Sequence, residues 1–250
     1  MRQFLSGFLL LMMMFLSSGS AHREAAVTHY NIPVHQLNLY QAMGITTESA
    51  SMEVGGFMIS RQVTLGEYKG YLSAVQRDST SEFYLSQIPG DEMLDKSIWQ
   101  VYLENPIYEA YPVVGVSWEQ ARNFCLWKSQ KKRTDGATKV YRLPHHSEWL
   151  AAYLFLSGNR IGHDFNQHYS DWLINTKTEM PSRLTADDEG RWPFDRLYDH
   201  KKDDPRILKR KSIIGNSFHY QTEHLRESML YGYADQGYRY VGFRYVTEKQ

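Results

Sequence analysis

The chain has 250 residues, with 28 Lys plus Arg balanced by 28 Asp plus Glu, so no net field draws it to nucleic acid or to an anionic membrane surface. With 42% hydrophobic and 14% aromatic residues, 18 Tyr among them, the composition excludes wholesale disorder and allows a sizeable core in one larger domain. A single cysteine excludes a disulfide within the chain, so stability rests on the core, on bound ions or on a partner.

At the N-terminus Arg2 precedes an apolar run from Phe4 to Leu16, which gives way to Ser17-Ser18-Gly19-Ser20-Ala21. This is the pattern of a signal peptide over residues 1–21, with small residues at the last and third-last positions before cleavage. The run is too short for a transmembrane span, and no cysteine follows the cleavage point to carry a lipid anchor. The expectation is a secreted or periplasmic chain, soluble after cleavage, with an N-terminal extension over 22–50 and one domain over 51–247.

Met52 to Ser60 reads as a strand. Thr64-Leu65-Gly66-Glu67 then fits a capping box with Val63 and Tyr68 at the staple positions, and Leu65, Tyr68, Leu72 and Val75 follow at helical spacing. From Gln76 to Ala110 the pattern predicts a long irregular connection. Ser117-Trp118-Glu119-Gln120 is a second capping box, opening a helix whose inward stripe runs Trp118, Ala121, Phe124 and Cys125.

That stripe decides how the lone cysteine reads. Cys125 lies seven residues after Trp118 and four after Ala121, on the buried face, where a thiol behaves as a small hydrophobe. A reactive thiolate needs a cationic, partly exposed setting, which the neighbouring sequence does not clearly supply.

A third helix starts after Tyr141-Arg142-Leu143-Pro144, with Trp149, Ala152, Tyr153 and Leu156 as its buried stripe. Glu148 is placed to reach back to a free backbone N–H of the first turn. A second long connection, about Thr176 to Arg210, is charged and turn-rich. Segments of that length carry function or move. Within it Trp192, Phe194 and Tyr198 sit among charges as a candidate aromatic binding anchor with a polar rim, or as a lid on the domain's own core. Further strands are expected at Ser212 to Phe218 and at Tyr238 to Val246, where Tyr238, Tyr240 and Gly242 alternate against Arg239, Val241 and Phe243. The basic clusters Lys131-Lys132-Arg133 and Lys209-Arg210-Lys211 read as solvated loop charges.

In order, "FMISRQVTLGEYKGYL", "YPVVGVSWEQARNFCLW", "YRLPHHSEWLAAY", "YSDWL", "IIGNSF" and "YVGFRYV" resemble the domain shared by formylglycine-generating enzymes and sulfatase-modifying factors. The resemblance spans about residues 52–246. It implies an α+β, C-type-lectin-like fold with few helices, small twisted antiparallel sheets and much irregular structure. Such a core is filled by large side chains that hydrogen-bond at their tips.

The oxidising enzymes of that family bind copper through two cysteines after a Gly-Gly-Ser-Trp-like strand. Placing Gly215-Asn216-Ser217-Phe218 on that strand puts Tyr220 and Leu225 at the cysteine positions, and neither supplies a thiolate. Cys125 belongs to a different helix and has no second sulfur beside it. The resemblance therefore implies a domain without copper-dependent oxidation and without an assigned catalytic residue.

No metal ligand is assigned either. The pairs His145 and His146, His163 and His168, and His219 and His224 match no recognised ligand motif. No nucleophile-elbow sequence supports a Ser/His/Asp triad. Calcium is the one cofactor the family leaves open, since Asp171 falls where it has an acidic residue before Trp. A single carboxylate does not define such a site, and Asp171 otherwise reads as a turn cap.

The leading reading is thus a non-catalytic binding or scaffold module of a cell-envelope assembly, resembling the domain of bacterial gliding-motility lipoproteins. Its contact surfaces would be the segments 76–110 and 176–210, with a protein partner and no nucleic acid. Two alternatives stand beside it: a metal-dependent oxidoreductase of the superfamily using non-cysteine ligands such as His219 or His224, and a calcium-dependent sugar-binding module.

Overall fold

The computed structural model describes residues 29–38, 51–91, 95–134, 139–159, 165, 166, 168–176, 210–218, 221 and 229–248. The first strands are β1 (His29–Ile32), β2 (His35–Asn38), β3 (Ser51–Val54) and β4 (Phe57–Ser60). Among the described residues five helices follow: α1 (Leu65–Asp78), α2 (Ser81–Ser86), α3 (Lys96–Glu104), α4 (Trp118–Thr134) and α5 (His146–Gly158). A 3₁₀ turn, Pro106–Tyr108, separates α3 from α4. The remaining strands are β5 (Ser170–Thr176), β6 (Lys211–Ile214), β7 (Leu230–Gly232), β8 (Val241–Gly242) and β9 (Val246–Glu248).

Among the described residues three small sheets result, in the orders β1-β4-β9, β2-β3 and β7-β6-β5-β8. In the first, β1 and β9 flank β4 antiparallel, in the registers His29↔Ser60 and Phe57↔Glu248. Residues 29–38, within the segment read from sequence as an extension, pair with β3 and β4. The third sheet departs from the antiparallel expectation, because β5 and β8 run parallel with Asp171 opposite Gly242. The architecture is the expected α+β arrangement, with few helices and small sheets.

The helix starts follow the capping chemistry written in the sequence. The Thr64 hydroxyl accepts the Glu67 N–H at 3.2 Å, and the Glu67 carboxylate accepts the Thr64 N–H at 3.0 Å. Ser117 and Gln120 make the same reciprocal pair at 3.2 and 2.9 Å. Glu148 accepts the His145 N–H at 2.7 Å and also receives both terminal nitrogens of Arg142 at 2.7 Å. Each pair satisfies N–H groups that a helix start leaves free.

The buried aromatic rings hydrogen-bond at their tips, as a core with little regular structure requires. Tyr68 and Tyr71, one turn apart on α1, donate their hydroxyls to the Gln87 carbonyl and side-chain oxygen at 2.9 and 2.8 Å. Their rings meet Phe124 of α4 at 5.9 and 5.7 Å between centroids.

Three further expectations change in the fold. The strand expected over 52–60 is broken at Gly55-Gly56 into β3 and β4, which pair with different neighbours. The segment 76–110 holds the end of α1, then α2, α3 and the 3₁₀ turn, so it is helical where an irregular connection was expected. Residues 240–247 are buried without interruption. The expected alternation fails because both sides of this segment are covered by the core.

Candidate functional site

Cys125 is buried on α4 with 2% of its surface exposed. Desolvation pushes its thiol up to about 12, the nearby Lys128 only partly opposing it, so at neutral pH the sulfur is a protonated, apolar atom. The helical stripe read from sequence therefore places it correctly.

Asp171 lies within β5 and does not cap a turn. Its Oδ1 accepts from Gln62 Nε2 at 2.9 Å, and its Oδ2 accepts from the Trp149 indole at 3.0 Å and from Arg244 at 2.8 Å. A carboxylate surrounded by N–H donors, one of them cationic, does not offer its oxygens to calcium. Among the described residues no group of three or more His, Cys, Asp or Glu is arranged to hold a metal ion. His145 is exposed and His146 buried, so the two do not form a common ligand face. The expected anchor residues Trp192, Phe194 and Tyr198 lie outside the described residues, as do His163, His219, His224, Tyr220 and Leu225.

Among the described residues, a cleft of about 630 Å³ is lined by α2, α3, the start of α4 and residues 235–237. Helix α2 starts at Thr80, whose hydroxyl accepts the Phe83 N–H at 3.2 Å, and none of its six residues is buried. Asp95 caps α3 by accepting the Ser97 N–H at 2.7 Å. Trp99, 9% exposed, anchors that helix by donating its indole N–H to the Pro89 carbonyl.

The floor consists of three backbone segments drawn close together. Gly90 donates to the Gly115 carbonyl at 2.9 Å, Gly115 donates to the Tyr238 carbonyl at 3.0 Å, and the Asp91 carboxylate accepts the Arg239 N–H at 2.8 Å. Gly115 has a φ of 73°, and a Cβ there would collide with the Trp99 ring. A Cβ at Gly237 would strike the carbonyl oxygens of Gly115 and Gly90. Only glycine permits these approaches.

Around this floor, Leu85, Trp99 and Leu103 supply apolar surface, and Lys96, Glu104 and Asp235 supply charge. The combination suits binding: an apolar body can be desolvated while charged groups at the margin fix its orientation. Sequence reasoning selected 76–110 as a contact surface but missed Trp99, Gly115 and Gly237. The signal was the glycine in "VVGVSW", whose role depends on a tryptophan sixteen residues earlier.

A family model described as the sulfatase-modifying factor enzyme 1-like domain matches residues 13–179, about two thirds of the sequence. The chain belongs to this family. The match of the sulfatase-modifying-factor model ends just after β5, before the segment on which the cysteine positions were placed. Among solved structures, CarF is similar at 14% identity, covering 91% of this chain and 100% of that one with a TM-score of 0.57. That likeness establishes the fold alone. PvdO from Pseudomonas aeruginosa is similar at 17% identity, covering 88% of this chain and 91% of that one, with a TM-score of 0.48. Treponema denticola variable protein 1 matches at 13% identity over 89% of this chain and 94% of that one, with a TM-score of 0.45. Among curated protein sequences none matches this chain. No helix of this family member is long and apolar enough, among the described residues, to cross a membrane.

Proposed function

We propose that this sulfatase-modifying-factor-like chain is a non-catalytic binding or scaffold module of a cell-envelope assembly. One observation carries the non-catalytic part: the only sulfur that could ligate copper as a thiolate is Cys125, and it is sealed in the core with its thiol pushed up to about 12. Copper-dependent oxidation in the family uses two thiolates, and a buried neutral thiol on α4 supplies neither of them. Envelope placement is supported by the N-terminal signal pattern, and the binding role by the cleft between α2 and α3. Trp192, Phe194 and Tyr198 are a second candidate contact, proposed on sequence alone.

The test is made on purified chain and in the native envelope. A photo-crosslinking residue in place of Leu85 should capture a neighbouring envelope protein, and the purified chain should form no formylglycine in a cysteine-containing peptide. A transition metal held at about one per chain, with turnover that disappears on changing His219 or His224, would replace this reading with that of a metal-dependent oxidoreductase. Calcium-dependent retention on a glycan array would replace it with that of a sugar-binding module.

A further inference from the structure

Ser60, the last residue of β4, stands between β1 and the segment that leads into β9. On one side His29 is its register partner. On the other, the Ser60 N–H donates to the Tyr245 carbonyl at 2.9 Å and the Tyr245 N–H donates to Ser60 Oγ at 3.0 Å. The two flanking side chains meet across Ser60: the Tyr245 hydroxyl and His29 Nε2 lie 3.0 Å apart, with the rings edge to face at 5.5 Å between centroids.

This contact suits a neutral imidazole and penalises a charged one. Burial above all keeps the Tyr245 phenol protonated, and among the described residues its hydroxyl meets no acceptor other than His29. The O–H therefore donates and Nε2 accepts. A proton added at Nε2 turns the acceptor into a donor, and the hydroxyl of a residue only 2% exposed must then point its hydrogen at nothing.

The surrounding charge acts in the same direction. Lys128 of α4 holds its ammonium 4.8 Å from the Tyr245 ring centre and 5.6 Å from that of Tyr141. Lys139 lies two residues before Tyr141, and Arg61 directly follows Ser60 with its Nε buried and without an acceptor among the described residues. Against these cations stands Glu67 of α1, whose carboxylate already accepts from the Thr64 N–H and hydroxyl at 3.0 and 3.2 Å. On α5, which also contacts β1, Glu148 is held by Arg142 and His146 is buried and uncharged at neutral pH. Burial first, and then Lys128, lowers the His29 pKa from 6.5, with Glu67 opposing them.

The strand that carries His29 is shallowly embedded. It lies at the edge of its sheet and has four residues, of which Ile32 is buried, His29 and Tyr30 are half-buried and Asn31 is exposed. Short edge strands with little buried surface open before the core does. We propose that His29 is a proton-operated latch: acidification detaches the N-terminal strand β1 from β4 while the rest of the domain stays folded. Detachment bares the Ile32 side chain and the edge of β4, a surface on which another strand can pair.

The experiment is hydrogen exchange of the full chain, read by mass spectrometry at about pH 7.5 and about pH 5.5 and corrected for the intrinsic pH dependence of amide exchange. An opened β1 frees an imidazole that titrates near 6.5, so protection of residues 29–32 relative to α4 should fall by up to about tenfold between the two conditions. In His29→Gln the side-chain oxygen still accepts from Tyr245 but does not titrate, so β1 should stay protected at both. His146 is present in both proteins, and its own acid effect cancels. An NMR titration of the wild-type chain tests the latch without any substitution, since the native His29 imidazole should titrate below 6.5. Unchanged protection of β1, loss of protection by β1 and α4 in step, the same β1 loss in His29→Gln, or a native His29 that titrates at or above 6.5 would each overturn the proposal.

Discussion

Arg244 donates from Nε to Asp171 Oδ2 at 2.8 Å, with side-chain exposures of 5% and 1%. The guanidinium also donates to the Phe165 carbonyl at 2.9 Å and to the Ser60 carbonyl at 3.3 Å, and it lies 4.1 Å from the centre of the Phe165 ring. One ion pair thus ties β5 to the segment between β8 and β9, to the end of β4 and, through Trp149, to α5. A buried pair of this kind specifies an arrangement more than it stabilises one, but removing one partner strands the other charge. Asp171→Ala should therefore cost about 3–5 kcal/mol, read as a lower midpoint in urea unfolding. Arg244→Lys should recover little, since an ammonium cannot reach three acceptors in the guanidinium plane.

Cys125 tests the core reading directly. Cys125→Ala should cost about 1–2 kcal/mol through lost apolar volume. Labelling of the native protein by a thiol reagent should be slow and limited by unfolding. Rapid labelling without denaturant would contradict the burial of the sulfur.

Gly115→Ala should destabilise by about 2–4 kcal/mol, because alanine is strained at a φ of 73° and its methyl meets the Trp99 ring. Trp99 must shift to make room, so the same variant should also reshape the cleft that Trp99 lines. Unchanged thermal stability would mean that the Gly115–Trp99 contact is absent.

His146 predicts a pH dependence whose sign follows from its burial. The side chain is 4% exposed, its Nε2 has no hydrogen-bond partner among the described residues, and desolvation pulls its pKa from 6.5 down to about 3. The unfolded chain takes up a proton below about pH 6.5 that the native chain refuses until about pH 3. This contribution to stability is fully present above pH 6.5 and is lost as pH falls through that window, by up to about 1.4 kcal/mol per pH unit. His29 is shifted the same way, chiefly by burial, so the two effects add. His146→Leu should flatten the acid limb of a stability-against-pH curve, and an unchanged slope would assign that limb elsewhere.

Glu148 offers a fifth measure of local design, since it serves both the His145 N–H and the Arg142 guanidinium. Glu148→Ala should cost about 2 kcal/mol, combining a lost cap with a half-buried, unpaired Arg142.

What the sequence determined by itself was local and periodic. Capping at Thr64, Ser117 and Glu148 involves residues three apart, and the burial of Cys125 follows from its spacing along α4, so neither depends on the rest of the fold. The absence of a cysteine pair is likewise a property of the chain alone, and it shapes the proposed function. Tertiary structure decided the rest. Asp171 read as a turn cap because its partners Gln62, Trp149 and Arg244 lie 109, 22 and 73 positions away. The 76–110 segment read as irregular because α2 is six residues long and buries nothing, and α3, though amphipathic, has only nine residues. The cleft was invisible for the same reason: Gly90, Gly115 and Gly237 mark nothing singly, and only when the fold presses their backbones together, with Trp99 against Gly115, does the surface between the helices open.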